Sequence, residues 1–142
     1  GAGRYGPVGV GFFFNDAGPT GIYTLPPPDA LPISVVNQIE LHPRFQQASL
    51  RAANAAAGVL TESWSPLGQG QILEDPIIAG LAAKHGVTPA QVVIRWHVQL
   101  GLIVIPKSVT PARIVQNLDV FGFALDADDM TAMASQIGRA HV

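Results

Sequence analysis

The 142-residue chain carries 8 Lys+Arg against 10 Asp+Glu, a formal net charge of −2, with 48% hydrophobic and 13% charged residues. That balance suits one globular domain with a sizeable core and gives no broad basic face for nucleic acid. Cysteine is absent and the four histidines (His42, His85, His97, His141) have no metal-ligand spacing, no apolar run nears the roughly 20 residues that span a bilayer, and no secretory leader pattern is visible, so neither a disulfide, a metal centre nor a membrane is expected and the location read from the sequence is cytoplasmic.

Residues 1–34 differ in texture from the rest. Gly, Pro and Phe crowd Gly6-Pro7-Val8-Gly9-Val10-Gly11-Phe12-Phe13-Phe14, Pro26-Pro27-Pro28 follows, and no period of 2 or 3.6 is sustained. Phe12 to Asp16, Ile22 to Leu25 and Asp29 to Ser34 resemble the conceptual translation of a sequencing-library adapter, as does the tail 137–142. Both ends are read as assembly scars outside the folded part, a native Pro/Gly-rich linker being the alternative, and no function is assigned to Tyr5, Tyr23 or His141.

From Val35 onward strand and helix signals alternate. Val35–Leu41 reads as a short strand with polar residues at 38 and 40. Gln46–Ala57 reads as a helix stopped by Gly58, and Val59–Trp64 as the next strand. Asp75-Pro76 opens a helix that Gly86 closes after Lys84 and His85. Thr88-Pro89-Ala90-Gln91 has the capping-box pattern and opens another, closed by Gly101, with Val93, Trp96 and Leu100 on one face. A strand at 102–105, a helix from Thr110 to Leu118 and a last helix from Asp126 to about Gln136 complete the series. Asp126, Asp128 and Asp129 suit a helix N-terminus without any metal. The alternation predicts βαβ units and a parallel sheet.

Ile105-Pro106-Lys107-Ser108-Val109-Thr110-Pro111-Ala112-Arg113 is the most informative stretch. A buried strand ends in a cationic loop, and a helix follows with Thr110 at the N-cap and Pro111 at its first position. First-turn N–H groups have no intrahelical partner and the helix dipole favours negative charge there. Arg113 lies in that first turn, where a cation gains nothing from the dipole unless an anion binds. Local spacing alone leaves an ordinary βα turn with solvated charges equally open.

Four blocks, in order, resemble the C-terminal part of the aldo-keto reductases: Val36-Asn37-Gln38-Ile39-Glu40-Leu41-His42-Pro43; Ser63-Trp64-Ser65-Pro66-Leu67-Gly68-Gln69-Gly70; Thr88-Pro89-Ala90-Gln91 with Arg95-Trp96-His97; and Ile105-Pro106-Lys107-Ser108-Val109 with Arg113 and Gln116-Asn117. The Trp64 block is similar to the bacterial branch that includes diketogluconate reductases. The resemblance covers 35–136 and implies an α/β fold: a fragment of a (β/α)8 TIM barrel, about the last three strands with their helices and the closing C-terminal helix of a fold of about 250 residues.

The resemblance also implies a cofactor, NADP(H), and residues for it. Lys107, Ser108 and Arg113 would hold the adenosine 2′-phosphate, with Val109 among the cofactor-binding residues. Gln116 and Asn117 would meet the adenine, and Ser65, Leu67 and Gly68 would border the pyrophosphate. Trp64 would stack on the nicotinamide, and Gln38 would pair with its carboxamide; core packing and a structural hydrogen bond are the ordinary alternatives for these two. Glu40, His42 and Glu62 are read as a structural polar network, and Arg95 and His97 as packing or pairing behind the sheet.

The reaction of the family needs a Tyr acid, a Lys and Asp that tune it, and a His near the carbonyl. By resemblance these lie in the first half of the barrel, as does a Ser–Asn pair that grips the carboxamide, and no residue here occupies those positions. The reading is therefore a C-terminal piece of an NADPH-dependent carbonyl reductase that is inactive alone, with open sheet edges that make it self-associate. Two alternatives stay open: a non-catalytic nucleotide-binding half-barrel or regulatory subunit, and a different phosphate-binding barrel. The small-molecule carbonyl substrate is not legible.

Overall fold

The computed structural model describes residues 35–135. The expectations for 1–34 and for 136–142 lie outside the described residues. Three parallel strands, β1 (Val36–Glu40), β2 (Leu60–Trp64) and β3 (Ile103–Val104), form a sheet in the order β1-β2-β3. Helix α1 (Ala48–Ala56) links β1 to β2; a 3₁₀ segment (Gly68–Glu74), α2 (Pro76–His85) and α3 (Pro89–Gln99) link β2 to β3; α4 (Pro111–Leu118) and α5 (Ala127–Ser135) follow. In register, Gln38 faces Glu62 and Glu40 faces Trp64, while Glu62 faces Ile103 across the second ladder.

Local signals place the helix ends. Asp75 accepts the Ile77 N–H at 3.0 Å with Pro76 next in sequence, and Gly86 closes α2 at φ 65°, a conformation that suits a residue without Cβ. At α3 both halves of the capping box form: Thr88 Oγ1 accepts from Gln91 N–H, and Gln91 Oε1 accepts from Thr88 N–H at 2.9 Å. Asp126 and Asp129 cap α5 reciprocally, each carboxylate accepting the other's backbone N–H.

Residues of α2 and α3 supply much of the core. Ile78, Val92, Val93 and Trp96 are buried against Ile39 and Leu41 of the β1 segment, with Ile72, Leu125 and Met133. Polar ties fix the layers. Asn37 donates to Asn54, which donates to Thr61 at 2.9 Å, joining α1 to β1 and β2. His97, fully buried, lies 2.8 Å by Nδ1 from the Val93 carbonyl and 3.1 Å by Nε2 from Ser63 Oγ, with the Leu41 carbonyl at 3.3 Å. Ser63 Oγ donates its one hydrogen to the Leu41 carbonyl; the single N–H of a neutral His97 ring serves either the Val93 carbonyl from Nδ1 or Ser63 Oγ and the Leu41 carbonyl from Nε2. Gln91, Arg95 and Gln99, spaced four apart on α3, bond the carbonyls of Asp119, Val120 and Leu125, so one stripe of the helix stitches down the 119–125 connection.

Two expectations need correction. The strand at 102–105 contracts to Ile103–Val104: β3 pairs with β2 alone, Ile105 is 64% exposed, and Pro106 follows without an N–H. Thr110 stands at the N-cap of α4, but its side chain makes no capping bond. The stretch after Trp64, to which the sequence reading gave no element, contains 3₁₀ turns, kinked at Gln69 and Gly70 where φ is 56° and 90°.

Candidate cofactor groove

The groove opens at the C-terminal ends of β2 and β3, the end of a parallel sheet where βα loops gather ligands. It has a volume of about 740 Å³. Ser65, Pro66 and Leu67 come from the end of β2, Gln69, Gly70 and Leu73 from the 3₁₀ segment, and Ile105, Lys107, Ser108 and Val109 from the loop after β3. The first residues of α3 (Thr88, Pro89, Ala90) and the α4 side chains Arg113, Gln116 and Asn117 complete it.

Eight of the expected cofactor residues thus meet on one surface: Ser65, Leu67, Lys107, Ser108, Val109, Arg113, Gln116 and Asn117. Gln38, Trp64 and Gly68 do not line this groove. Trp64, half exposed, stands at the end of β2 on the sheet face that carries Gln38 and Glu62. Gln38 Nε2 donates to Glu62 Oε1 at 2.6 Å. Gly68 has a different reason for being glycine: at φ 51° a Cβ would come within 2.9 Å of Ile72 Cγ2, a side chain buried in the core.

The cations divide sharply. Residues 35–135 hold six Lys and Arg. Arg44 pairs with Asp75, Arg51 donates to the Gln46 carbonyl, Lys84 to Asp126 and Asp129, and Arg95 to Gln99 and Val120. Lys107 and Arg113 have no hydrogen-bonding or ion-pair partner among the described residues, and both line the groove. Beside them the hydroxyl of Ser108 lies 3.4 Å from the Thr110 carbonyl, and the uncapped start of α4 leaves the N–H groups of Ala112 and Arg113 without a side-chain acceptor from Thr110.

His42, His97 and Asp129 are held in contacts within the protein. His42 Nε2 lies 3.6 Å from Glu40 Oε1; burial lowers its pKa and Glu40 opposes that. Burial likewise pushes His97 down, against its two backbone carbonyl contacts. Asp129 holds Lys84 at 2.7 Å and His85 at 2.7 Å, and its pKa lies below the usual value: burial raises it, and the Lys84 and His85 bonds outweigh that. No cluster of three His, Asp or Glu able to hold a metal exists among the described residues, and no single helix there is long and apolar enough to cross a membrane.

Residues that the sequence reading passed over are Gln69, Gly70, Leu73 and the α3 start. The capping box of Thr88 marked a helix end, but only the folded chain shows that end forming a wall of the groove.

Comparison with known proteins shows the family and the fold. The aldo/keto reductase family profile matches residues 29–137. An aldo-keto reductase of Mycolicibacterium smegmatis is 60% identical over 103 residues, 72% of this chain and 38% of the relative. Methylglyoxal reductase DkgA of Escherichia coli K12 is 56% identical over 102 residues, 70% of this chain and 37% of the relative. The apo crystal structure of Gox0644 superposes with a TM-score of 0.74 at 59% identity, covering 80% of this chain and 41% of the solved one, and a variant of that protein was solved in complex with NADPH at the same score. The chain spans about two-fifths of the length of these relatives. Its parallel sheet and flanking helices match part of the (β/α)8 barrel of those structures, and the chain belongs to the aldo/keto reductase family.

Proposed function

We propose that this chain carries the NADP(H)-binding part of a carbonyl reductase that converts small aldehydes and ketones to alcohols. One observation carries the reading: of six cations in the described residues, the two without a protein partner face one groove at the ends of parallel strands, beside an uncapped helix start. Burial of an anion there satisfies both charges and the free N–H groups at once. The groove thus fits a phosphate-bearing nucleotide.

In this reading Lys107, Ser108 and Arg113 hold the 2′-phosphate, and Val109 lines its approach. Gln116 and Asn117 meet the adenine one helical turn on. Ser65 and Leu67 border the pyrophosphate, and Gly68 gives the turn that brings the backbone close. Trp64 offers a flat face to the nicotinamide ring and Gln38 a carboxamide to its carboxamide. Bound NADPH supplies a hydride; reduction also needs a proton donor beside the carbonyl oxygen. Residues 35–135 contain no tyrosine. The 142-residue chain is proposed to bind the nucleotide without reducing a carbonyl.

The test is a titration of the 142-residue chain with NADPH and with NADH. NADPH is expected to bind more tightly, and Lys107→Ala or Arg113→Ala to weaken NADPH about tenfold each, the lower end for a charge-assisted bond because both side chains are solvent-exposed, while leaving NADH unchanged. Equal losses for both cofactors, or none, contradict the assignment. Steady NADPH oxidation with a carbonyl substrate contradicts the inactivity.

A further inference from the structure

We propose that Glu62 is a positioning residue that fixes which end of the Gln38 amide faces a bound nicotinamide; this rests on the cofactor reading above. The strand pairing sets up the contact. Gln38 and Glu62 are register partners on β1 and β2, and Trp64 lies two residues beyond Glu62 on the same face. The opposite face of these strands, Ile39, Thr61 and Ser63, is buried under helices, whereas Gln38 and Trp64 are exposed. A charged residue on this face has no role in that core. Its carboxylate instead lies 2.6 Å from Gln38 Nε2.

The chemistry follows from donor and acceptor inventories. A glutamine amide has two flip states of nearly equal shape and opposite polarity. A carboxylate only accepts, so Glu62 selects the state with Nε2 turned toward it. Gln38 Oε1 and the second Nε2 hydrogen then hold fixed places. A primary carboxamide on the ligand carries the same donor and acceptor pair, and it matches one flip state and clashes electrostatically with the other. Without Glu62, half of the Gln38 population presents the wrong end and binding falls accordingly. Glu62→Gln is isosteric but can accept from Gln38 Nε2 or donate to Gln38 Oε1, and so removes the selection.

Three measurements on the 142-residue chain decide it. Glu62→Gln is expected to weaken NADPH about twofold, the factor for a half-populated competent flip state, and to leave 2′,5′-ADP, which has no nicotinamide, unchanged. That unchanged affinity also shows the variant folded. In a Gln38→Ala background the same change at position 62 is expected to add nothing, since Glu62 acts through Gln38. Wild-type NADPH affinity in Glu62→Gln, a parallel loss of 2′,5′-ADP, or a further loss in the Gln38→Ala background each overturns the proposal. If wild type binds neither NADPH nor 2′,5′-ADP, the cofactor reading falls and this inference with it; if it binds 2′,5′-ADP and only the Glu62 arm fails, the cofactor reading stands and Glu62 has no positioning role.

Discussion

The buried imidazole of His97 gives a pH dependence that can be worked from the structure. The ring is fully buried between β1, β2 and α3, and burial lowers its pKa from an ordinary 6.5. The folded ring is neutral where the unfolded ring begins to protonate. Below pH 6.5 the unfolded state therefore binds more protons, and stability falls as pH falls. The loss between about pH 7.5 and 5.5 is at most about 1.4 kcal/mol, the limit set by titration of the unfolded ring alone. His42, also lowered by burial, adds a contribution of the same sign. His97→Gln keeps a polar side chain of similar reach but cannot titrate. It is expected to cost about 1–3 kcal/mol at neutral pH through imperfect bonds to Val93 and Ser63, against a total stability of about 5–15 kcal/mol, and to flatten the pH profile. Urea unfolding followed by the fluorescence of Trp96, whose ring meets His97 edge-on at 4.8 Å, measures both quantities. Parallel profiles for wild type and variant, or a wild type more stable at the acid end, would refute the reasoning.

Three further outcomes are expected. Gly68→Ala forces a Cβ into a left-handed turn and against buried Ile72; it should cost at least about 1–2 kcal/mol of stability in a denaturant melt, and a neutral effect would show that the turn is not held as described. Asp126 and Asp129 titrate below their ordinary 3.8, Asp126 chiefly through Lys84 and Asp129 through Lys84 and His85 against its burial, so the clasp between α2 and α5 is complete well above that pH and is lost as pH falls through and below it. Asp129→Asn should therefore raise amide exchange along α5 at neutral pH and shrink the acid-side loss of stability; unchanged exchange would contradict the clasp. Finally, β1 and β3 each have an edge with no strand on it among the described residues, and Ile105, Val109, Leu118 and Phe121 are 64–85% exposed. Sedimentation of the 142-residue chain should show species larger than the 14.9 kDa monomer, and a purely monomeric boundary would contradict self-association.

What could be read from the chain was whatever its chemistry specifies locally. Asp75-Pro76, Thr88 with Gln91, and Gly86 mark helix ends through bonds within a turn, and they appear where expected. The placing of Lys107 and Arg113 beside a helix start was legible for the same reason: strand, loop and helix are contiguous. Three things were not. The length of β3 depends on a neighbour strand that local residues do not reveal. The stitch from Gln91, Arg95 and Gln99 to the 119–125 connection joins groups more than twenty residues apart, and polarity alone marks that stripe as a solvated helix face. Glu62 was assigned to a structural network with Glu40 and His42; the structure joins it instead to Gln38.

Phosphorus NMR of NADP⁺ with the 142-residue chain tests the central claim most directly, because the 2′-phosphate and the pyrophosphate give separate signals. The account predicts that the 2′-phosphate resonance shifts on binding, that its second ionisation moves below the free value of about 6 beside Lys107 and Arg113, and that Arg113→Ala returns it toward that value. A 2′-phosphate signal that keeps its free position and ionisation in the presence of excess protein would contradict the account.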